Sequence, residues 1–237
     1  MDLYKRVSET VKREYKVIVG KLYRNIDAVE PDQTQTLMIK DVRIPYAYEG
    51  IGSRYQEDIA VLTLNAVIIY RNHIAPVCLN INTLLIIDKQ LPRDDTLGLI
   101  AGFGQTETGS PSDVLRKIDL PIVEFNKCLE QAPIDYRSFL VFDKFCAGFT
   151  NNTKYVCKGD SGGGLTFMDN QTKRYNIYGI LSNTRDLGEN HCDPYYYSLY
   201  TNVMDYVYMI KEQHTDSLDI LRYMIEHPEE KDSVSLL

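Results

Sequence analysis

Short apolar runs alternate with turn-forming polar clusters along most of the chain, and that pattern predicts strands. Val17-Ile18-Val19 runs into Gly20, Thr36 to Ile39 is strand-like, and Ile59 to Leu64 is a nearly continuous apolar run. Such a run, rich in β-branched residues, suits a strand buried on both faces. Further strands are predicted over 97–103, 115–122, 163–167, 175–181 and 196–200. Their even spacing favours a sandwich or barrel over alternating βαβ units. No internal repeat or low-complexity linker interrupts them.

The period changes near the C-terminus. Val203, Val207 and Ile210 recur at helical spacing behind Asn202, a residue suited to capping a helix. A second stretch, Ser217 to Ile225, puts Leu218, Leu221 and Ile225 on one face. It gives way to PEEKDSVSLL, whose acids predict a solvated tail.

Length and composition narrow the class. A chain of 237 residues suits one large all-β domain or two small ones, with enough apolar residues for a core. The net charge of −7 argues against a nucleic-acid partner. No apolar run approaches the ~20 residues of a membrane span, so no membrane partner is expected.

Five cysteines, an odd number, form no C-x-x-C pair and no zinc-spaced cluster with histidine, so neither a metal nor a cofactor is expected. Two disulfides and one leftover thiol are the natural reading, which implies an oxidising compartment. The sequons at Asn151 and Asn170 agree with secretion. The opening MDLYKRVSETVKREYK nonetheless lacks the apolar stretch of a signal peptide.

The stretch richest in chemistry is Cys157-Lys-Gly-Asp-Ser-Gly-Gly-Gly164. Glycines on both sides of Ser161 permit a tight turn and close approach of a substrate. Such a turn can aim the amides of Gly159 and Ser161 at one point, where an oxyanion would develop.

With this motif the chain resembles the chymotrypsin-like serine proteases from about Tyr15 to about Gln213. Besides Gly159-Asp-Ser-Gly-Gly163, the resemblance rests on Gln56-Glu-Asp-Ile-Ala-Val-Leu62, Ala75-Pro-Val-Cys-Leu79, Ala101-Gly-Phe-Gly104, Cys146-Ala-Gly148 and Tyr178-Gly-Ile-Leu-Ser182. Gly20-Lys-Leu-Tyr-Arg24 and Gly162-Gly-Gly-Leu165 look like the insect haemolymph modular proteases, which carry recognition modules ahead of the protease domain.

The resemblance implies an all-β fold of two six-stranded antiparallel barrels, the first incomplete here, with a C-terminal helix. It assigns 1–214 to the peptidase domain and 215–237 to a helical and acidic extension. It implies an extracellular endopeptidase that cleaves polypeptides through an acyl-enzyme on Ser161, or a non-catalytic homologue that binds a protein partner.

Residue roles follow from the same resemblance. Ser161 is the nucleophile, Gly159 and Ser161 supply the oxyanion amides, and Asp58 orients a catalytic imidazole. Asp160 is the acid that pairs with a new amino terminus on activation. Tyr155, Ser182, Thr184 and Ser198 line the specificity pocket. Tyr155 lacks the charge that would receive a basic substrate side chain. Phe103 and Asn183 stand where the family has Trp.

The implied disulfides are Cys128–Cys146 and Cys157–Cys192. Cys78 is left unpaired or tethered to an upstream segment carrying recognition modules. Asp27, Glu30 and Asp32 fall where some relatives bind calcium, but three acids in a polar loop read as solvated.

One member is missing. The family's histidine precedes the aspartate, whereas His73, His191, His214 and His227 all follow Asp58. The expectation is a chain cut upstream of the histidine segment. Asp160 should then lack its partner, and the nucleophile loop should resemble that of a zymogen.

Overall fold

The computed structural model describes residues 4–6, 12, 14–79, 91–150, 154–186, 188, 192–215 and 235–236, with backbone alone for 6, 212–215 and 235–236. Two sheets organise them. The first is centred on the long strand β3 (Gln35–Pro45), which pairs antiparallel with β1 (Tyr4–Arg6), β2 (Lys16–Val19) and β4 (Val61–Leu64). Leu37 packs there with Ile68 and Ile74, and Val19 and Leu64 border them.

The second sheet holds β5 (Val77–Cys78), β6 (Leu97–Gly102), β7 (Arg116–Val123), β8 (Lys144–Ala147), β9 (Gly164–Met168), β10 (Tyr175–Asn183), β11 (Ser198–Asn202) and β12 (Ser235–Leu236). Its strand order is β11-β8-β7-β6-β9-β10-β5-β12, and β10 also pairs with β11. That extra pairing closes β6 to β11 into a six-stranded antiparallel barrel. Alternate side chains point inward, as the two-residue period of a strand requires. Ile100, Leu120, Ile122, Phe145, Leu165, Phe167, Leu181 and Tyr200 form the barrel core.

Helices α1 (Phe125–Gln131), α2 (Ile134–Arg137) and α3 (Val207–Thr215) flank the strands. Glu124 caps α1, its carboxylate accepting the N–H groups of Asn126 and Lys127, both at 2.9 Å. Asn202 caps the C-terminal segment as its position predicts, with Oδ1 accepting Met204 N–H at 3.1 Å. A 3-10 turn over Val203–Tyr206 leads into α3, and Val203, Met204 and Val207 bury against Leu79.

Three expectations change. The run at 59–64 is not buried on both faces: Leu62 is 43% exposed, because β4 pairs with β3 alone among the described strands. The tail is not wholly solvated, since Ser235 and Leu236 pair with Cys78 and Val77. The strand expected at 196–200 begins later, at Ser198. The stretch Ser217–Ile225 and Asn151 lie outside the described residues.

Candidate active site

The nucleophile loop leaves the barrel at Val156 and re-enters at β9. Cys157 bonds to Cys192 and pins one side of the loop, while a second disulfide joins Cys128 of α1 to Cys146 of β8. Cys78 is the free cysteine. Ser161 is exposed at the turn. Gly162 N–H donates to Leu181 O and Leu181 N–H donates to Gly163 O, both at 2.9 Å, so the residues after Ser161 are laced to β10.

Gly159 adopts φ +97°, a left-handed conformation that a side chain would strain. Asp160 N–H is bonded to Cys157 O and Gly163 N–H to Asp160 O. By contrast, the N–H groups of Gly159 and Ser161 meet no acceptor among the described residues. These are the two amides the sequence nominates for an oxyanion.

Asp160 departs from expectation. Its carboxylate is not left bare: Oδ1 accepts Gly104 N–H at 2.8 Å and Oδ2 accepts Cys157 N–H at 3.1 Å. Two backbone dipoles satisfy the acid in place of an ammonium, which removes the main cost of a partly buried charge. Gly104 is required by this contact, because a Cβ on it would overlap the Asp160 carboxylate. A cavity of about 280 Å³ opens beside Asp160, with Arg116, Lys154 and Tyr155 in its lining.

Asp58 arrives from the other sheet at the entry to β4. Ser182 Oγ donates to its Oδ2 at 2.8 Å, and Thr201 Oγ1 donates to its carbonyl at 2.9 Å. Tyr48 also hydrogen-bonds its carboxylate. Burial, together with the Asp58 charge and that bond, raises the Tyr48 phenol above its ordinary range. Ser182, next to Leu181, thereby connects Asp58 to the strand that holds the Ser161 loop.

The other nominated pocket residues lie before Cys157, at the end of β10 and on its neighbour β11. Tyr155 lines the cavity beside Asp160, Ser182 is spent on Asp58, and Thr184 Oγ1 lies 3.9 Å from Cys192 Sγ. Ser198 is buried opposite Ala147 where β11 begins. Asn170 is exposed in the turn between β9 and β10.

His73 is engaged elsewhere. Its Nε2 lies 2.9 Å from Gln33 O and its Nδ1 4.0 Å from Asp32 Oδ2. His191 and His227 fall outside the described residues, and of His214 the backbone alone is described.

The acidic loop is organised by a lysine. Lys21 Nζ lies 2.5 Å from Glu30 Oε1, and the N–H groups of Leu22 and Tyr23 donate to the same carboxylate. No group of three His, Cys, Asp or Glu side chains among the described residues is placed to hold a metal ion. No described helix is long and apolar enough to cross a membrane.

Sequence reading missed four participants. Tyr48, Thr201, Asp143 and Tyr206 sit in no recognisable motif. Thr201 reaches Asp58, Asp143 reaches Glu57 and Tyr206 reaches Asp143 from distant parts of the chain.

Comparison with known proteins agrees with this geometry. The family described as Trypsin matches residues 6–210. Proclotting enzyme of Tachypleus tridentatus is 33% identical over 159 residues, covering 67% of this chain and 40% of that protein. Modular serine protease of Drosophila melanogaster is 29% identical over 183 residues, 71% of this chain and 26% of that protein. Venom protease of Bombus pensylvanicus is 30% identical over 190 residues, 78% of this chain and 69% of that protein. This chain therefore spans less than half the length of the first two. A six-stranded barrel carrying the Gly159-Asp-Ser-Gly-Gly163 loop, and a family match over most of its length, make this chain a member of the trypsin family of serine proteases.

Proposed function

We propose that this chain belongs to a secreted serine endopeptidase, which cleaves polypeptides through an acyl-enzyme on Ser161. The observation that carries the reading is that, among the described residues, the amides of Gly159 and Ser161 meet no acceptor, while those of Cys157, Asp160, Gly162 and Gly163 are bonded. Unspent donors beside an exposed hydroxyl suit the charge that develops on a carbonyl oxygen during acyl transfer. Asp58 would hold and stabilise an imidazolium, and Asp160 would receive the amino terminus made on activation. The cavity beside Asp160 has room for such a terminus.

A serine hydroxyl needs a base, because it is almost wholly protonated at neutral pH. His73 is committed to Gln33. The family's base is a histidine that precedes the aspartate, and no histidine of 1–237 precedes Asp58, so this chain alone should turn over negligibly. Losing the base of a serine triad costs about a million-fold in kcat. The relatives named Proclotting enzyme and Modular serine protease support a place in a clotting-type proteolytic cascade, and the free Cys78 would be the tether to further modules. Tyr155 supports an uncharged substrate side chain in the primary pocket.

The test is covalent labelling of the full gene product after limited activating proteolysis, using a fluorophosphonate and peptide mass spectrometry. Label should fall on Ser161 and vanish in Ser161→Ala, and peptides with an uncharged P1 residue should be cut faster than Arg peptides. A folded, activated product that takes no label overturns the reading. That result would favour a binding homologue, which the altered residues Phe103, Tyr155 and Asn183 also suit.

A further inference from the structure

Asp143 is fully buried, and its neighbour Lys144 exposes 1% of its side chain. Lys144 Nζ bonds Asp143 Oδ1 at 2.9 Å. The other oxygen, Oδ2, accepts Tyr206 Oη at 2.7 Å and the backbone N–H of Glu57 at 2.8 Å. Burial, then the hydrogen bond and charge of Asp143, raise the Tyr206 phenol far above its ordinary range. A buried ion pair is a poor source of stability, because desolvation offsets the attraction, and apolar residues of similar size often serve as well. The cluster calls for another explanation.

Its one backbone contact with the other sheet supplies it. Glu57 directly precedes Asp58 and sits at φ 59°, closing a segment in which Arg54 and Tyr55 also have φ of 55° and 57°. Left-handed conformations are costly for residues with side chains, so this segment holds its shape only if something outside it fixes the end. The Glu57 N–H needs an acceptor, and Asp143 provides one from a position 86 residues away. Thr201 then fixes the Asp58 carbonyl and Ser182 its carboxylate. Lys144 neutralises Asp143 at contact distance, which spares Asp58 the repulsion of a second bare carboxylate.

We propose that Asp143 is a positioning residue for the acyl-transfer site, setting the location of Asp58 through the Glu57 amide. The role of Asp58 rests on the function proposed above, but its placement is measurable without turnover. Asp143 touches no reacting atom. It delivers Asp58 to the barrel, and Lys144 and Tyr206 hold Asp143 in register.

Two double variants of the full chain separate positioning from general support. Asp143→Ala with Lys144→Met removes charge and acceptor together, while Asp143→Asn with Lys144→Met removes the charges and keeps an acceptor oxygen. The first readout is hydrogen exchange at Glu57, and the second is the titration of Tyr48 by NMR of a carbon-13 label at the phenol carbon.

The alanine pair should speed Glu57 exchange by about a hundredfold relative to neighbouring protected amides. It should also bring the Tyr48 phenol down toward its ordinary range as Asp58 recedes. The asparagine pair should keep both signals near the parent values. A folded alanine pair with both signals unchanged overturns the proposal, as does a freely exchanging Glu57 amide in the parent chain. If the alanine pair fails to fold, the asparagine pair decides: retained signals support an acceptor role, and lost signals refute it. None of these readouts depends on Ser161, so failure of fluorophosphonate labelling remains a separate outcome.

Discussion

Ser182 Oγ donates to Asp58 Oδ2 at 2.8 Å across a sequence separation of 124 residues. The bond joins the two sheets at the point where the Ser161 loop is laced to β10. A hydrogen bond to a charged acceptor is worth about 1.5–3 kcal/mol, more than most neutral ones. Ser182→Ala should therefore lower the unfolding free energy obtained in urea by an amount in that range, moving the midpoint down with the slope unchanged. A loss below ~0.5 kcal/mol would show that Asp58 is held elsewhere.

Gly104 permits the close approach of Asp160. Placing a methyl there drives it into the Asp160 carboxylate, and overpacking of this kind costs about 1–3 kcal/mol. Gly104→Ala should push Asp160 off the Gly104 and Cys157 amides. Faster hydrogen exchange at Cys157, alongside a lower thermal midpoint, is the expected result.

The two disulfides close loops of different length, 18 residues for Cys128–Cys146 and 35 for Cys157–Cys192. Loop-closure entropy of the unfolded chain gives about 3 kcal/mol for the shorter and about 4 kcal/mol for the longer. Paired alanine variants should follow that order in equilibrium urea unfolding. Removing Cys157–Cys192 should also loosen the nucleophile loop, seen as faster exchange at Gly162 and Gly163.

Glu30 links stability to pH. Burial works against its charged form, but the Lys21 ammonium and the amides of Leu22 and Tyr23 outweigh it and hold the carboxyl below its ordinary value of 4.5. A depressed folded value means the stabilisation is present above the unfolded value and lost as pH falls through the folded one. Glu30→Gln should be less stable than the parent at pH 7, and the gap should close as pH drops below about 4.5. A gap that stays constant from pH 7 to pH 3 would refute the linkage.

Much of the fold was readable because strand burial leaves a period in the sequence. β2, β6, β7, β9 and β10 fall within a few residues of their predicted ranges. β8 escaped because all four of its residues are buried, including Lys144, whose charge breaks any apolar pattern. α1 escaped because its cap is Glu124, outside the usual set of small polar capping residues. The short partners β1, β5 and β12 carry too few residues to show a period at all.

The sequence by itself determined the family, the glycine-rich turn around Ser161 and the placing of every histidine after Asp58, because glycine spacing and histidine position are local facts that no folding can alter. Tertiary structure alone decided what Asp160 rests on, how Ser182 and Thr201 seize Asp58, and why Asp143 is buried beside a lysine. Those depend on where the fold brings donors to acceptors: Gly104 to Asp160, and Ser182 and Thr201 to Asp58 from the other sheet. Hydrogen bonds act over about 3 Å of space and are indifferent to distance along the chain.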